Sequence, residues 1–163
     1  MPLQRLNHAV LWVRDIERSV AFYRDVLGFR TRAESPGRAV FLVAPGSGND
    51  HDLGLFAIGD GAGDSEAGTR TVGLYHLAWE VDTLAELARL RAALEAAGAL
   101  VGTSDHTVSK SLYAKDPDGI ELEVAWMVPG DPAAGQGGAG VAPLDLEAEI
   151  ARYGPERPTR ALS

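Results

Sequence analysis

The sequence contains no cysteine, which excludes disulfides, thiolate metal sites and cysteine nucleophiles. It has no run of about 18 apolar residues for a membrane span, and residues 1–5 form no apolar signal region. The net charge of -8 and the pI near 4.9 do not supply the clustered positive charge that nucleic-acid binding needs. We therefore expect a cytoplasmic protein that binds neither nucleic acid nor membrane. Any metal ligands must come from histidine, aspartate and glutamate.

Common nucleotide and hydrolase motifs are also missing. No Gly-x-Gly-x-x-Gly follows a predicted strand, and no Walker-type Gly-Lys-Ser/Thr occurs. Ser109 and Ser111 lie near His106, but no nucleophile elbow surrounds them. What remains is a chain of 163 residues, 45% apolar, which is long enough for one domain or two small modules with a core.

One structural unit is written twice along the chain. Residues 6–13 and 74–81 are strand-like and carry a histidine at the same place, and each leads into a helical pattern that stops at a glycine. Three strand-like runs follow each helix: FRTRAES, AVFLVA and HDLGLFAI in the first copy, LVGTSD, SLYAKD and IELEVAW in the second. An internal repeat of this kind has to be recognised before a fold is assigned. It predicts an α+β fold of two βαβββ modules, about 5–58 and 72–128, forming an open barrel-like mixed sheet.

This fold prediction makes residues 1–128 a single domain with a site in the concave face of the sheet. The Gly- and Pro-rich residues 129–143 are predicted to be a linker. Residues 144–163 are predicted to form a short C-terminal helix and then a tail, which we expect to be disordered from residue 154.

His8 and His76 occupy equivalent positions in the two copies. Strand alternation places each imidazole on one face of its own sheet, so a pseudo-twofold relation would bring the two together. Glu123 lies on the last strand of the second copy, the expected neighbour of the strand near His76. Two imidazoles and one carboxylate form the facial triad that leaves open positions on non-haem Fe(II). Each residue alone is also compatible with a packed core histidine or a solvent-facing glutamate.

Three further residues are candidates for proton transfer. His51 precedes the last strand of the first copy, while His106 and Tyr113 precede the Asp-Pro-Asp-Gly turn before Glu123. Singly they are compatible with loop histidines and a core aromatic. Together at one mouth they would supply proton donors and acceptors beside a metal, and histidine suits this role because its pKa is near neutrality.

These stretches resemble a known family. NHAVLWVRDIERSVAFYRDVLGF, YHLAWEV and DPDGIELE are similar to the vicinal oxygen chelate superfamily, which includes glyoxalase I, bleomycin-resistance proteins and extradiol ring-cleaving dioxygenases. The resemblance covers about residues 6–128. DHTVSKSLYAKDPDG is similar to the corresponding run of the catechol 2,3-dioxygenase-like branch, although many members of that branch are twice as long.

The resemblance implies an extradiol dioxygenase of aromatic catabolism that opens a catechol-type diol with O2. The implied metal is Fe(II), with Mn(II) as the alternative, and family members commonly form homo-oligomers. The implied roles are metal ligation for His8, His76 and Glu123, stabilisation of activated oxygen for His51, and proton transfer at the substrate oxygens for His106 and Tyr113.

Two other functions stay open at this point. A glyoxalase-type metal-dependent isomerase or lyase would need a fourth ligand, a glutamate, where this chain has about Gly54. A small-molecule-binding resistance protein of the bleomycin type generally does without the metal triad.

Overall fold

The computed structural model describes residues 2–3, 5–66, 70–130 and 140–159. The chain divides into two compact units, unit 1 with residues 1–65 and 117–119, and unit 2 with residues 66–116 and 120–163. Each unit holds one of the two predicted copies, apart from the turn 117–119. No helix in the described part of the chain is long and apolar enough to cross a membrane.

Unit 1 is a four-stranded mixed sheet with one helix. Its elements are β1 (Ala9–Val13), α1 (Ile16–Ala21), a π-helical turn (Phe22–Val26), β2 (Arg30–Ser35), β3 (Ala39–Val43) and β4 (Leu53–Ala57). The strand order is β1-β4-β3-β2, in which β1 runs parallel to β4 and the other pairs are antiparallel. Asp15 caps α1 by accepting a hydrogen bond from the Arg18 amide at 3.0 Å. Gly28 ends the helical stretch with φ of 82°, a conformation that favours glycine.

The core of unit 1 lies on one side of this sheet. In β1, Leu11 and Val13 are buried, while the alternating Val10 and Trp12 are exposed. Helix α1 packs against β3 and β4. The opposite face of the sheet, which carries Val10 and Trp12, is therefore the face available for a site.

Unit 2 repeats the pattern with a longer helix. Its elements are β5 (Leu77–Glu80), α2 (Leu84–Ala96), β6 (Leu100–Asp105), β7 (Ser109–Lys115), β8 (Glu121–Met127) and α3 (Leu146–Tyr153). The strand order is β5-β8-β7-β6, with β5 parallel to β8. Thr83 caps α2 by accepting from the Glu86 amide at 3.2 Å, and α2 packs against β6, β7 and β8.

The C-terminal residues are docked on unit 2. Helix α3 packs against α2, and its Leu146 is fully buried. Beyond the helix, the Pro155 carbonyl accepts from the Ala85 amide at 2.9 Å, and the Arg157 carbonyl accepts from the Trp126 indole at 3.1 Å. The expectation of a disordered tail is therefore wrong for residues 154–159. Residues 160–163 lie outside the described part of the chain.

The α+β class and the mixed sheets are confirmed. Two strands are shorter than predicted: β1 and β5 begin at Ala9 and Leu77, so His8 and His76 lie one residue before their strands. The barrel-like arrangement of the two sheets stays a prediction.

Candidate metal and catalytic site

In unit 1, two histidines lie side by side at the start of the parallel strand pair. The β1–β4 register pairs Ala9 with Leu53, so His8 and His51 both come just before the paired residues. Their ring centroids are 4.5 Å apart. His8 Nδ1 lies 2.7 Å from the side-chain oxygen of Asn7, which can only accept. In the neutral imidazole, His8 Nε2 therefore keeps its lone pair and is the nitrogen able to bind a metal.

A folded loop fixes the position of His51. The buried Asp52 carboxylate accepts from the Ala44 amide at 2.8 Å, from the Ser47 hydroxyl at 2.7 Å and from the Asn49 side chain at 2.7 Å. This satisfied carboxylate closes the loop between β3 and β4 and orients its neighbour.

Aromatic rings surround His51 on the open face of the sheet. The Phe41 ring lies 5.0 Å from the His51 ring, and Phe41 packs on Phe56 at 5.8 Å in an edge-to-face arrangement. Trp12 lies on the same face, 5.8 Å from Phe56. The histidine pair therefore borders an apolar surface on which a planar ring could rest.

In unit 2, His76 and Glu123 form a close pair. The parallel β5–β8 register sets Ala78 opposite Glu123, so the residue two before Ala78 points to the same face. His76 Nε2 lies 3.1 Å from Glu123 Oε2. The Glu123 side chain is only 13% exposed. A carboxylate this sheltered needs a polar partner, and the imidazole supplies one.

His106 and Tyr113 form a second polar pair in unit 2. His106 Nε2 lies 2.8 Å from the Tyr113 hydroxyl oxygen. Tyr113 is directly opposite Glu123 in the antiparallel β7–β8 pairing, and its ring lies 5.9 Å from the His76 ring. Cross-strand pairing thus brings four of the six predicted site residues onto one face of the second sheet.

The protonation state of Tyr113 follows from its surroundings. Burial raises the pKa of Tyr113, and the negative charge of Glu123 raises it further. The phenol therefore keeps its proton at neutral pH, and its oxygen lies within hydrogen-bond distance of His106 Nε2. This arrangement is suited to passing a proton between an oxygen at the site and the imidazole.

The donors of unit 2 fit a divalent transition metal. Imidazole nitrogen and carboxylate oxygen are typical ligands of such ions, and two donors about 2.1 Å from one ion and at right angles to it are about 3 Å apart. The His76–Glu123 separation of 3.1 Å agrees with that spacing. His76 Nδ1 is buried and has no hydrogen-bond partner among the described residues. The nitrogen that could bind a metal beside Glu123 is Nε2, so the unpaired Nδ1 does not itself indicate a metal.

The predicted residues are brought together within each unit, as His8–His51 in unit 1 and as His76–Glu123 with His106–Tyr113 in unit 2. Among the residues that the structure describes, no group of three His, Asp or Glu side chains is close enough to hold a metal ion. The joint triad of His8, His76 and Glu123 therefore stays a prediction.

Sequence reasoning missed one aromatic neighbour of this site. The Tyr75 ring lies 4.9 Å from the His76 ring and is largely exposed. Strand alternation assigns adjacent residues to opposite faces, which hides such a contact. The structure permits it because Tyr75 precedes β5, where alternation does not yet hold.

Comparisons with known proteins agree with this architecture. The chain is 32% identical over 120 residues to Catechol-2,3-dioxygenase of Bacillus subtilis (strain 168), an alignment covering 73% of this chain and 40% of that protein. It is 34% identical over 123 residues to Biphenyl-2,3-diol 1,2-dioxygenase 3 of Rhodococcus globerulus, covering 74% and 63%. The chain thus spans roughly half the length of these relatives.

A solved structure and a family model point the same way. The crystal structure of a glyoxylase/bleomycin resistance protein/dioxygenase domain from Frankia sp. EAN1pec superposes with a TM-score of 0.65 at 27% identity, covering 78% of this chain and all of that one. The model of the Glyoxalase/Bleomycin resistance protein/Dioxygenase superfamily matches residues 5–124, which include β1 to β7, the first half of β8, helices α1 and α2, and the predicted ligands of both units. The chain belongs to the Glyoxalase/Bleomycin resistance protein/Dioxygenase superfamily.

Proposed function

We propose that the protein is an extradiol ring-cleaving dioxygenase, which opens a catechol-type aromatic diol with O2 at a non-haem Fe(II). The observation that carries this proposal is the cluster on one face of unit 2, where the His76–Glu123 pair lies beside the His106–Tyr113 pair. Ring opening needs a metal site and a proton relay side by side. The two relatives named as dioxygenases of catechol and biphenyl-2,3-diol support the same reaction class.

His76, Glu123 and His8 would hold the metal. The ion supplies charge stabilisation and open positions for the diol and O2. The protein's part is to keep these three donors unprotonated and oriented. For His8, the Asn7 side chain does this by accepting the Nδ1 proton, and for Glu123 the sheltered position on β8 restricts its rotation.

The Tyr113–His106 pair would accept protons from the substrate and return them to the product. A diol hydroxyl that loses its proton near Tyr113 can pass it through the phenol oxygen to His106 Nε2, since the two atoms are 2.8 Å apart. The same pair can return a proton to a product oxygen. General acid–base help of this kind typically contributes about 10²–10⁴-fold in rate.

His51 would act from unit 1. Its Nδ1 lies 3.1 Å from an Asp50 carboxylate oxygen, which can only accept and therefore holds the imidazole proton on Nδ1. The adjacent ring of His8 and the edge of Phe41 fix the His51 ring plane. We assign to it the stabilisation of the developing charge on oxygen.

The position of Gly54 argues against the glyoxalase-type alternative. Gly54 is paired with Val10 in β1 and Phe41 in β3, on the open face of the unit 1 sheet. A Cβ there would lie 3.4 Å from a Val10 methyl and 3.5 Å from the Phe56 ring. Without a side chain this residue offers no fourth ligand, so the site keeps positions free for two reactants.

The test is anaerobic reconstitution of the purified protein with Fe(II), followed by O2 uptake with a set of catechols. We expect uptake coupled to a yellow ring-opened product that contains both atoms of labelled O2. A glyoxalase-type enzyme would instead work with zinc or nickel and consume no O2. A resistance protein would bind an aromatic ligand tightly without any metal. Either result would refute the proposal.

A further inference from the structure

The turn that carries His106 is strained. Asp105–Val108, here called the His106 turn, connects the antiparallel strands β6 and β7. Thr107 has φ of 69° and is the one non-glycine with positive φ among the residues described by the structure. Threonine is β-branched, so this conformation costs about 1 kcal/mol or more and persists only where neighbouring contacts enforce it.

The C-terminal segment, residues 140–159, supplies backbone contacts to this turn. The Asp105 amide donates to the Ala142 carbonyl at 2.8 Å, and the Ala142 amide donates to the Asp105 carbonyl at 3.0 Å. Ala142 thereby continues the sheet beside the end of β6. The same segment approaches the strained residue, because a Cβ at Gly140 would lie 3.9 Å from Thr107 Oγ1.

A buried lysine joins the turn to α3. The Lys110 side chain is 3% exposed, although lysine is among the residues least often buried. Its Nζ lies 2.6 Å from Asp105 Oδ1 and 3.2 Å from Glu149 Oε2 of α3. A buried ammonium is tolerated only when it is paired, and here both partners are carboxylates.

Asp105 links Lys110 to the backbone of the His106 turn. Its Oδ1, which contacts Lys110, also accepts from the Thr107 amide at 2.7 Å. Burial alone would raise the pKa of Asp105, but the hydrogen bonds from Lys110 and from the Thr107 amide outweigh it and lower the pKa. The carboxylate is therefore charged at neutral pH and holds both groups.

We propose that the C-terminal segment positions His106 against Tyr113, and that Lys110, held by Glu149, is the positioning residue. This inference deepens the proposed function and rests on it for its catalytic consequence. Lys110 touches no reacting group and acts only through Asp105 and the turn. The segment thus works as a brace that selects the conformation in which His106 Nε2 meets the Tyr113 hydroxyl.

The chain offers a matched control for this idea. Glu149 and Glu147 are both on α3, and each pairs with a cation of another element, Lys110 and Arg91 respectively. Glu147 is 70% exposed, and its pair lies away from the His106 turn. Burial of Leu146 and the Tyr153 contact with Trp126 keep α3 docked in either variant. E149Q removes the charge on α3 that pairs with Lys110, and E147Q removes a surface ion pair of the same helix.

Amide hydrogen exchange of the full chain tests the brace without any need for activity. We expect exchange across residues 105–109 to speed up roughly tenfold in E149Q, because the buried Lys110 ammonium loses one of its two charged partners, and to stay at the wild-type rate in E147Q. Unchanged exchange in E149Q, or equal acceleration in both variants, would overturn the proposal. Hydrogen exchange tests the positioning role independently of catalysis. If the protein opens no catechol, that result contradicts the proposed function but not the effect of Glu149 on the turn.

Kinetics then test the positioning role. In the iron-loaded protein, E149Q should lower kcat with KM and iron content unchanged, because substrate binding is retained while proton transfer is misaligned. E147Q should match wild type. A merely structural role would reduce activity in proportion to the folded, iron-containing fraction, and that result would also contradict the proposal.

Discussion

Removing the hydroxyl of Tyr113 distinguishes a catalytic role of this residue from a structural one. Tyr113→Phe deletes the hydroxyl, and with it the 2.8 Å contact with His106 Nε2, and leaves the ring in place. A single hydrogen bond contributes about 1 kcal/mol to stability, so a domain with ordinary stability stays folded. Loss of general acid–base help of about 10²–10⁴-fold corresponds to about 2.7–5.4 kcal/mol of activation free energy. The loss of rate should therefore greatly exceed the loss of stability.

The assay measures kcat by O2 uptake, iron content, and urea unfolding of the same preparations. Tyr153→Phe is the control, since it also removes a phenol hydroxyl but on α3, where the ring packs on Trp126. We expect iron content to be unchanged in both variants and kcat to fall in Tyr113→Phe alone. A fall of less than about tenfold, or one matched by the control, would refute the proton-relay reasoning.

Three further predictions follow from the same geometry. His51→Ala should keep its iron but lose turnover, as measured by metal analysis and O2 uptake; loss of the iron would contradict the role assigned to His51. Leu112→Ala, at a fully buried position of β7, should lower the free energy of unfolding by about 2–5 kcal/mol in urea titrations, whereas Val101→Ala at an exposed position should change it by only about 0.5 kcal/mol. Because the folded-state pKa of Tyr113 is raised, metal-free protein should lose stability as pH rises from about 10 through that pKa; unfolding across this range should show a shallower loss in Tyr113→Phe, and identical slopes would contradict the raised pKa.

Much of the fold could be predicted because hydrophobic periodicity and the residues that end helices and strands are local properties of the sequence. The strand-like runs match β2, β3, β4, β6, β7 and β8 closely, and the two helical patterns match the helical stretches that follow β1 and β5. The docked tail could not be predicted in this way. The tail is held by the backbone carbonyls of Pro155 and Arg157. Every residue has a backbone carbonyl, so no sequence pattern shows which ones accept such hydrogen bonds.

The site was predictable in its residue types and less so in its contacts. Alternation assigns His76 and Glu123 each to one face of its own strand. That the two faces coincide, and that the side chains are 3.1 Å apart, depends on the register of β5 and β8, which no turn sets because the two strands are far apart in sequence. Lys110 was overlooked for a different reason. A lysine in a strand is normally solvent-exposed, and its burial depends on Glu149 from a distant helix.

The central claim is that Glu123 is a metal ligand, and iron content after anaerobic Fe(II) reconstitution tests it most directly. Glu121→Ala is the matched control, because Glu121 is on the same strand and the same side but its partner is Lys115 at 3.8 Å. We predict about one iron per chain in wild type and in Glu121→Ala, and a steep loss in Glu123→Ala. Equal iron content in Glu123→Ala and wild type would contradict the account.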